Sequence, residues 1–441
     1  MDILPYKVDT TSTLLTPRAG LLALLELMKR LNLSACVDKH FPHPKSNRGF
    51  KPSRYVQTLM LMQHGGGMHL DDVRLIKEDQ GLRAVLSIAD FPCATALGQW
   101  LRRQGQQVDK VSPVSKVNKH LLKAALHKCK QVTLDIDASE IVSSKRDTKW
   151  TYNKHRGYMP MVGHIAETGQ IAAVDFREGN TPPSKDNLEF IQTCEAALPE
   201  GVQVKAVRID AAGYQEAIIR YCDTQSIRYA IRAKMSRTIK MLAEEVKDDQ
   251  WQPLLDKAGH PTDQQTYRTV HCIGEYEQAF TLVIQRQIKE GQGVLALEDN
   301  TVADEHVAGH FIYRAIATNQ ETLSDSELVH WYNQRGEDSE NRIKELKHDF
   351  GGDILPCSDF KANALYFELS ALSYNLFALL RHLLPETLAH KRAITLRHRL
   401  YHLVAKVVRS GRQLIFQLQE AHQCLLTQVL SLIRCFKPPP I

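Results

Sequence analysis

Three acidic residues in three different settings carry most of the chemistry this chain could do. Asp137 ends the apolar run Val132-Thr133-Leu134-Asp135-Ile136-Asp137. Asp210 ends a second run, Val202 to Ile209. Glu340 sits inside a long stretch of helical pattern, Trp331 to Lys347. A carboxylate at the end of a buried strand is costly unless it is paired or holds a cation. Two strand carboxylates and one from a helix can hold a pair of divalent ions. Such a pair clamps the attacking and leaving oxygens of an in-line phosphoryl transfer. That is nucleic-acid strand chemistry.

Each acid also has an ordinary reading. Asp210 opens Asp210-Ala211-Ala212-Gly213-Tyr214, where a strand-end Asp is often only a helix N-cap. Asp137 has a rival in Asp135, two residues back and on the same side of the strand. Glu340 precedes Lys344 by four residues, so the two could be a surface salt pair.

These acids need a scaffold, and the apolar spacing supplies one. Residues 1–130 read as helical, with segments at 20–31, 53–63, 71–77, 79–86, 95–103 and 115–130, broken by Gly65-Gly66-Gly67. From Val132 the period changes. Strands are expected at 132–137, 159–166, 171–177, 203–209 and 227–232, with helices at 186–197 and 214–222. Antiparallel-looking strands followed by βαβ units give a mixed sheet covered by helices, the order expected of an RNase H-like fold. Residues 234–310 interrupt it and read as a β-rich insertion, after which Phe311 to Ala317 resumes the core. Ser324 and Glu327 form a capping box for a helix of about 325–350 that Gly351-Gly352 would stop. The fold class is therefore α/β: an RNase H-like catalytic core at 131–233 and 311–352, a mainly β insertion at 234–310, a helical DNA-binding region at 1–130 and a C-terminal helical region at 353–441.

Composition sets the partner class. The net charge is only +6, but the cations are clustered. Lys39–Arg54 and Arg228–Lys240 each carry five Lys/Arg and no acid. Arg102–Lys130 carries eight against Asp109, and Arg381–Arg412 eight against Glu386. Four such stretches favour a polyanion. The nine cysteines show no zinc-finger spacing and fit reduced thiols in a cytoplasmic protein. His40/His43 and His398/His402 lack third and fourth ligands. Nothing in the sequence predicts a signal peptide or a membrane span.

The motifs together resemble the DDE transposases of bacterial insertion sequences, in the group with a Tyr-Arg-Glu-Lys signature. Asp137-Ala138-Ser139 is similar to the first motif, which favours Asp137 over Asp135. Arg208 to Tyr214 is similar to the second, and Tyr332, Arg335, Glu340 and Lys347 to the third. Lys154–Pro160 and Arg177–Thr181 also resemble segments common in these enzymes. One departure stands out: four residues, 336–339, separate Arg335 from Glu340 where the signature has three. A π-bulge eased by Gly336 would absorb the extra residue, and Glu337 remains a weaker choice for the third carboxylate.

The resemblance implies cut-and-paste or related transposition. Cleavage at the element end frees a 3′-OH that attacks target DNA. Asp137, Asp210 and Glu340 would be the catalytic residues and the ligands of two Mg²⁺ ions, with Mn²⁺ able to substitute. Tyr332, Arg335, Lys344 and Lys347 would contact DNA phosphates. The N-terminal helices would recognise terminal inverted repeats, and Trp251 could stack on an extruded base. The implied partners are double-stranded DNA, at the terminal repeats and the target, and a second copy of the chain in the DNA complex. The implied location is the bacterial cytoplasm, at the nucleoid. Another RNase H-like nuclease, and a transposase-derived DNA-binding protein without catalysis, are the alternative readings.

Overall fold

The computed structural model describes residues 4–44, 49–86, 90–107, 112–288 and 305–439 of the chain, and leaves the side chains of Glu337 and Asp338 undescribed. The chain divides into two compact units, residues 125–344 and residues 1–124 with 345–441.

The first unit is built on one large mixed sheet. Its strands are β1 (Gln131–Ala138), β2 (Met161–Ile165), β3 (Ile171–Asp175), β4 (Gln203–Ile209), β5 (Arg228–Arg232), β6 (Gln252–Leu255), β7 (Pro261–Ile273), β8 (Tyr276–Ile288) and β9 (Phe311–Thr318). They lie in the order β6-β7-β8-β9-β5-β4-β1-β2-β3, and the short strand His306–Ala308 pairs beside β9. Strands β1, β4 and β5 are parallel, and β2, β3 and β9 run against their neighbours. The central strands are buried along nearly their whole length, as covered parallel strands must be.

Within 234–310, expected as a mainly β insertion, strands β6 to β8 extend the central sheet itself, because β9 pairs with β8 on one side and β5 on the other. A short helix, Arg237–Glu245, precedes them. The extension serves the long helix α1 (Asp325–Lys344), which packs on β1, β5, β6 and β7. Ser326 Oγ accepts from Leu255 N at 3.0 Å, His330 Nε2 lies 2.7 Å from Leu255 O, and Arg268 pairs with Asp325 at 2.6 Å. Leu254, Val283, Ile316 and Ala230 then pack against Leu328, Val329 and Tyr332. The added strands thus floor the first half of the helix.

The expected capping box forms: Ser324 N and Oγ both donate to Glu327, and Glu327 N donates back to Ser324 Oγ. The helix is regular through Lys344 and then widens into a π turn, Glu345–Asp349, before Gly351 ends it at φ +66°. The extra residue expected to bulge between Arg335 and Glu340 therefore does not; the widening falls later.

The second unit is mainly helical. The apolar helix Phe360–Leu383 is buried along most of its length and packs on Pro52–His64 and Ala94–Gly105. Residues 1–124 and 345–441 fall in this one unit. The C-terminal part is not all helix: Ala405–Ser410 and Gln413–Gln417 form a hairpin that also pairs with Leu15–Thr16. No described helix is long and apolar enough to cross a membrane.

Candidate active site

Strands β1 and β4 run parallel with Asp135 opposite Arg208 and Ile136 opposite Ile209. Next along that register come Asp137, the penultimate residue of β1, and Asp210, the residue that follows β4. Alternation puts 135, 137, 208 and 210 on one face. Helix α1 covers that face, because Arg208 and Arg335 both bridge to it.

The two aspartates of β1 have opposite fates. Asp135 is fully buried and holds Arg208 in a two-pronged pair, with Nε to Oδ1 at 2.7 Å and Nη2 to Oδ2 at 2.8 Å. Arg208 Nη1 also donates to Trp331 O at 2.5 Å and to Gln334 Oε1 at 3.4 Å, and its guanidinium lies 5.3 Å from the Trp331 ring centre. This pair ties β1, β4 and α1 together and commits both carboxylate oxygens of Asp135 to Arg208. Asp137 is half-buried. Arg335 Nη2 sits 3.3 Å from its Oδ1 and donates to Ile136 O at 3.1 Å. Burial pushes the Asp137 carboxyl up to about 6 despite Arg335; Asp210, and more weakly Glu340, push the same way. Asp210 also fulfils its ordinary reading: its Oδ1 accepts from Ala212 N at 3.0 Å and caps the turn Ala211–Gly213.

Glu340 is not drawn in. Its side chain is 67% exposed and bonds Lys344 Nζ at 2.6 Å, which holds its carboxyl below the usual range. The reason is the regular helix. The position with the signature's spacing from Arg335 is Ser339, which is buried, while Glu340 is turned about 100° further round. Among the described residues no three His, Cys, Asp or Glu side chains gather tightly enough to hold one ion. Glu337 lies outside the described side chains.

The other expected DNA contacts divide. Tyr332 is buried among Leu254, Val283, Ile316 and Leu328, with the Arg232 guanidinium 5.0 Å from its ring centre. It is a packing residue here. Arg335 is likewise buried and committed to Asp137 and Ile136 O. Lys344 is half exposed beside Glu340. Lys347 falls in the π turn, so α-helical spacing from Glu340 no longer fixes its direction. Trp251 is buried under the Arg286 guanidinium, 4.4 Å from its ring centre, so it cannot offer its face to a base. Some expected surface cations are structural too: Arg397 is buried and donates to backbone carbonyls of Gln63, His64 and Asp349.

Sequence reasoning missed Arg208 as the clamp on Asp135. The signal was present as two matched patterns, Asp135-Ile136-Asp137 and Arg208-Ile209-Asp210, once the strands are set side by side.

Residues 5–437 match the family model of the transposase DDE domain, group 1. The chain belongs to this family of DDE transposases. No curated protein matches the chain. Among solved structures, this transposase aligns with a piggyBac transposase in a synaptic complex with hairpin DNA, at a TM-score of 0.44 and 10% identity, over 95% of this chain and 80% of that one.

Proposed function

We propose that this transposase cuts DNA at the ends of its element and joins the freed ends to target DNA, within an RNase H-like core. Asp137, Asp210 and Glu340 are assigned as the catalytic carboxylates and as ligands of two Mg²⁺ ions, with Mn²⁺ able to substitute. One observation carries the reading. Asp137 and Asp210 share the end of two parallel strands, and Asp137's carboxyl is raised by burial and by its neighbour. Two crowded, hard-oxygen carboxylates are a fitting donor set for a divalent cation. The sheet order β3-β2-β1-β4-β5, with β2 antiparallel to β1, supports the RNase H-like assignment.

Bound ions would polarise the scissile phosphate and steady the attacking and leaving oxygens. The chain's own residues do the positioning. Arg208 locks Asp135 out of the site, and Arg335 orients Asp137. Glu340 joins them when the helix takes up one residue as a π-bulge around Gly336, the widening it already adopts at Glu345–Asp349. Lys344 and Lys347 meet backbone phosphates and position the DNA without reading its sequence. Hydrolysis frees a 3′-OH, and that oxygen attacks a target phosphodiester. The N-terminal helices bind the terminal repeats, and two copies of the chain bring two ends together.

The test is strand transfer. Linear DNA carrying the element ends should join to a supercoiled plasmid with Mg²⁺ and not with chelator. Failure to join with either Mg²⁺ or Mn²⁺ would remove the reading. A DNA-binding protein without catalysis is the second reading, favoured by Glu340 being held at Lys344. Specific end binding without any nicking would support it.

A further inference from the structure

Between β1 and β2 the chain leaves the sheet and returns. The excursion starts just past Asp137, at the sheet edge that also carries Asp210. It forms a three-stranded lobe: Ile141–Val142 and Lys149–Trp150 both pair with Arg156–Tyr158. Residues 143–158 hold five Lys/Arg (145, 146, 149, 154, 156) and one acid, Asp147. That acid is spent inside the lobe, accepting from Tyr158 Oη at 2.6 Å.

Two aromatic rings face water here. Trp150 is 65% exposed and Tyr152 is 58% exposed. Trp150 stands opposite Arg156 across the ladder, and Lys149, Lys154 and Arg156 are exposed. The rings are not on a loose loop. Glu140 accepts from Thr151 Oγ1, from Asn153 Nδ2 at 3.0 Å, and lies 3.3 Å from His155 Nδ1. Arg156 Nη2 donates to Thr148 O at 3.2 Å. The base is clamped where Met159 N donates to Arg177 O and Arg177 Nε returns to Met159 O. At Gly179 a Cβ would sit 2.4 Å from Gly157 O and 2.6 Å from Lys149 O, so backbone meets backbone there. This contact accounts for two sequence segments that the acids leave unexplained, 154–160 and 177–181.

A rigid scaffold that keeps two aromatic faces in water among cations is built to be covered. Cations alone would serve a duplex backbone, since duplex bases are already stacked on each other. Aromatic faces add binding only where bases are unpaired.

We propose that the 141–158 lobe grips unpaired nucleotides of the DNA end beside the two aspartates. Trp150 and Tyr152 stack on bases, and Lys149, Lys154 and Arg156 meet the phosphates. This rests on the DNA reading above, and its test avoids cleavage. Full-length protein, without metal, is titrated with a DNA end bearing a short unpaired tail and with the blunt duplex. Of the four tryptophans, Trp100 and Trp251 are buried and Trp331 lies against Arg208, so emission quenched by the tail reports Trp150. The double variant Trp150→Ala/Tyr152→Ala should lose about tenfold or more on the tailed end. It should bind blunt duplex as before, and Trp150→Phe should keep most of the affinity without the quench. Lys149→Ala/Arg156→Ala should weaken binding to both DNAs and flatten the salt dependence. Unchanged tailed-end binding by the double variant, or an equal loss on both DNAs, overturns the proposal. Either result leaves strand transfer to be judged by its own assay.

Discussion

Removing Arg208 should cost the sheet-bearing unit far more than removing a surface cation. The side chains of Arg208 and Asp135 are 2% and 0% exposed, and their pair is two-pronged. Breaking one partner of such a pair leaves a charge in the interior and typically costs about 3–5 kcal/mol. Arg335 and Arg342 also act on Asp135, so the low end applies, about 3 kcal/mol for Arg208→Met. For a unit of this size that is a fall of roughly 6–12 °C in melting temperature. Asp135→Leu alone should also destabilise, since it strands the guanidinium. The double variant Asp135→Leu/Arg208→Met should recover much of the loss, because neither charge then remains. Thermal melts and urea titrations of the four proteins at neutral pH give the cycle. Arg208→Met within about 0.5 kcal/mol of wild type, or losses that simply add, would refute the pair as the clamp between β1, β4 and α1.

The raised Asp137 carboxyl makes stability depend on pH. Its folded pKa, about 6, lies above the unfolded value, so the folded state holds the proton more tightly. This contribution is full below about pH 4 and is lost as pH rises through about 6, on the order of 3 kcal/mol in all. Urea titrations of metal-free protein from pH 4 to 8 should show that decline, and Asp137→Asn should flatten it; an unchanged slope would count against the shift. Tyr332→Ala should destabilise by about 3–5 kcal/mol, whereas Tyr332→Phe should melt near wild type and bind element ends equally well, as a packing residue requires. Weaker end binding by a stable Tyr332→Phe would return that residue to the DNA. Lys347→Ala should weaken binding to the cleaved end and slow strand transfer without changing cation affinity, measured by gel shift and calorimetry; unaltered end binding would remove Lys347 from the interface.

Local chemistry made much of this legible in the sequence. The run at 203–209 is a strand with those same bounds, and Ser324 with Glu327 caps the long helix as their spacing predicts. Long-range pairing was not legible. Whether β7 and β8 form their own domain or lengthen the main sheet depends on β9 lying between β8 and β5, and no local period encodes that. The hairpin at 405–417 was overlooked although Gly411 separates two strand-like runs, because the flanking apolar spacing suits helices. The first motif favoured Asp137 over Asp135 in the sequence; what it did not reveal is that the neighbouring strand pairs Asp135 with Arg208 and sets Asp210 near Asp137. The third acid was the least legible. A one-residue change of spacing turns a helix position by about 100°, and only the helix geometry reveals that Ser339 faces inward.

The most direct test of the catalytic assignment compares nicking at element ends by wild type, Asp137→Asn, Asp210→Asn, Glu340→Gln and Asp135→Asn, each shown by melting to be folded and by gel shift to bind the ends. With Mg²⁺ the first three variants should fail to nick while binding DNA as wild type does. Asp135→Asn should lose stability and keep nicking in whatever fraction stays folded. Nicking by Asp137→Asn or Asp210→Asn at the wild-type rate would contradict the two-aspartate site, and nicking by Glu340→Gln alone would remove Glu340 as its third member.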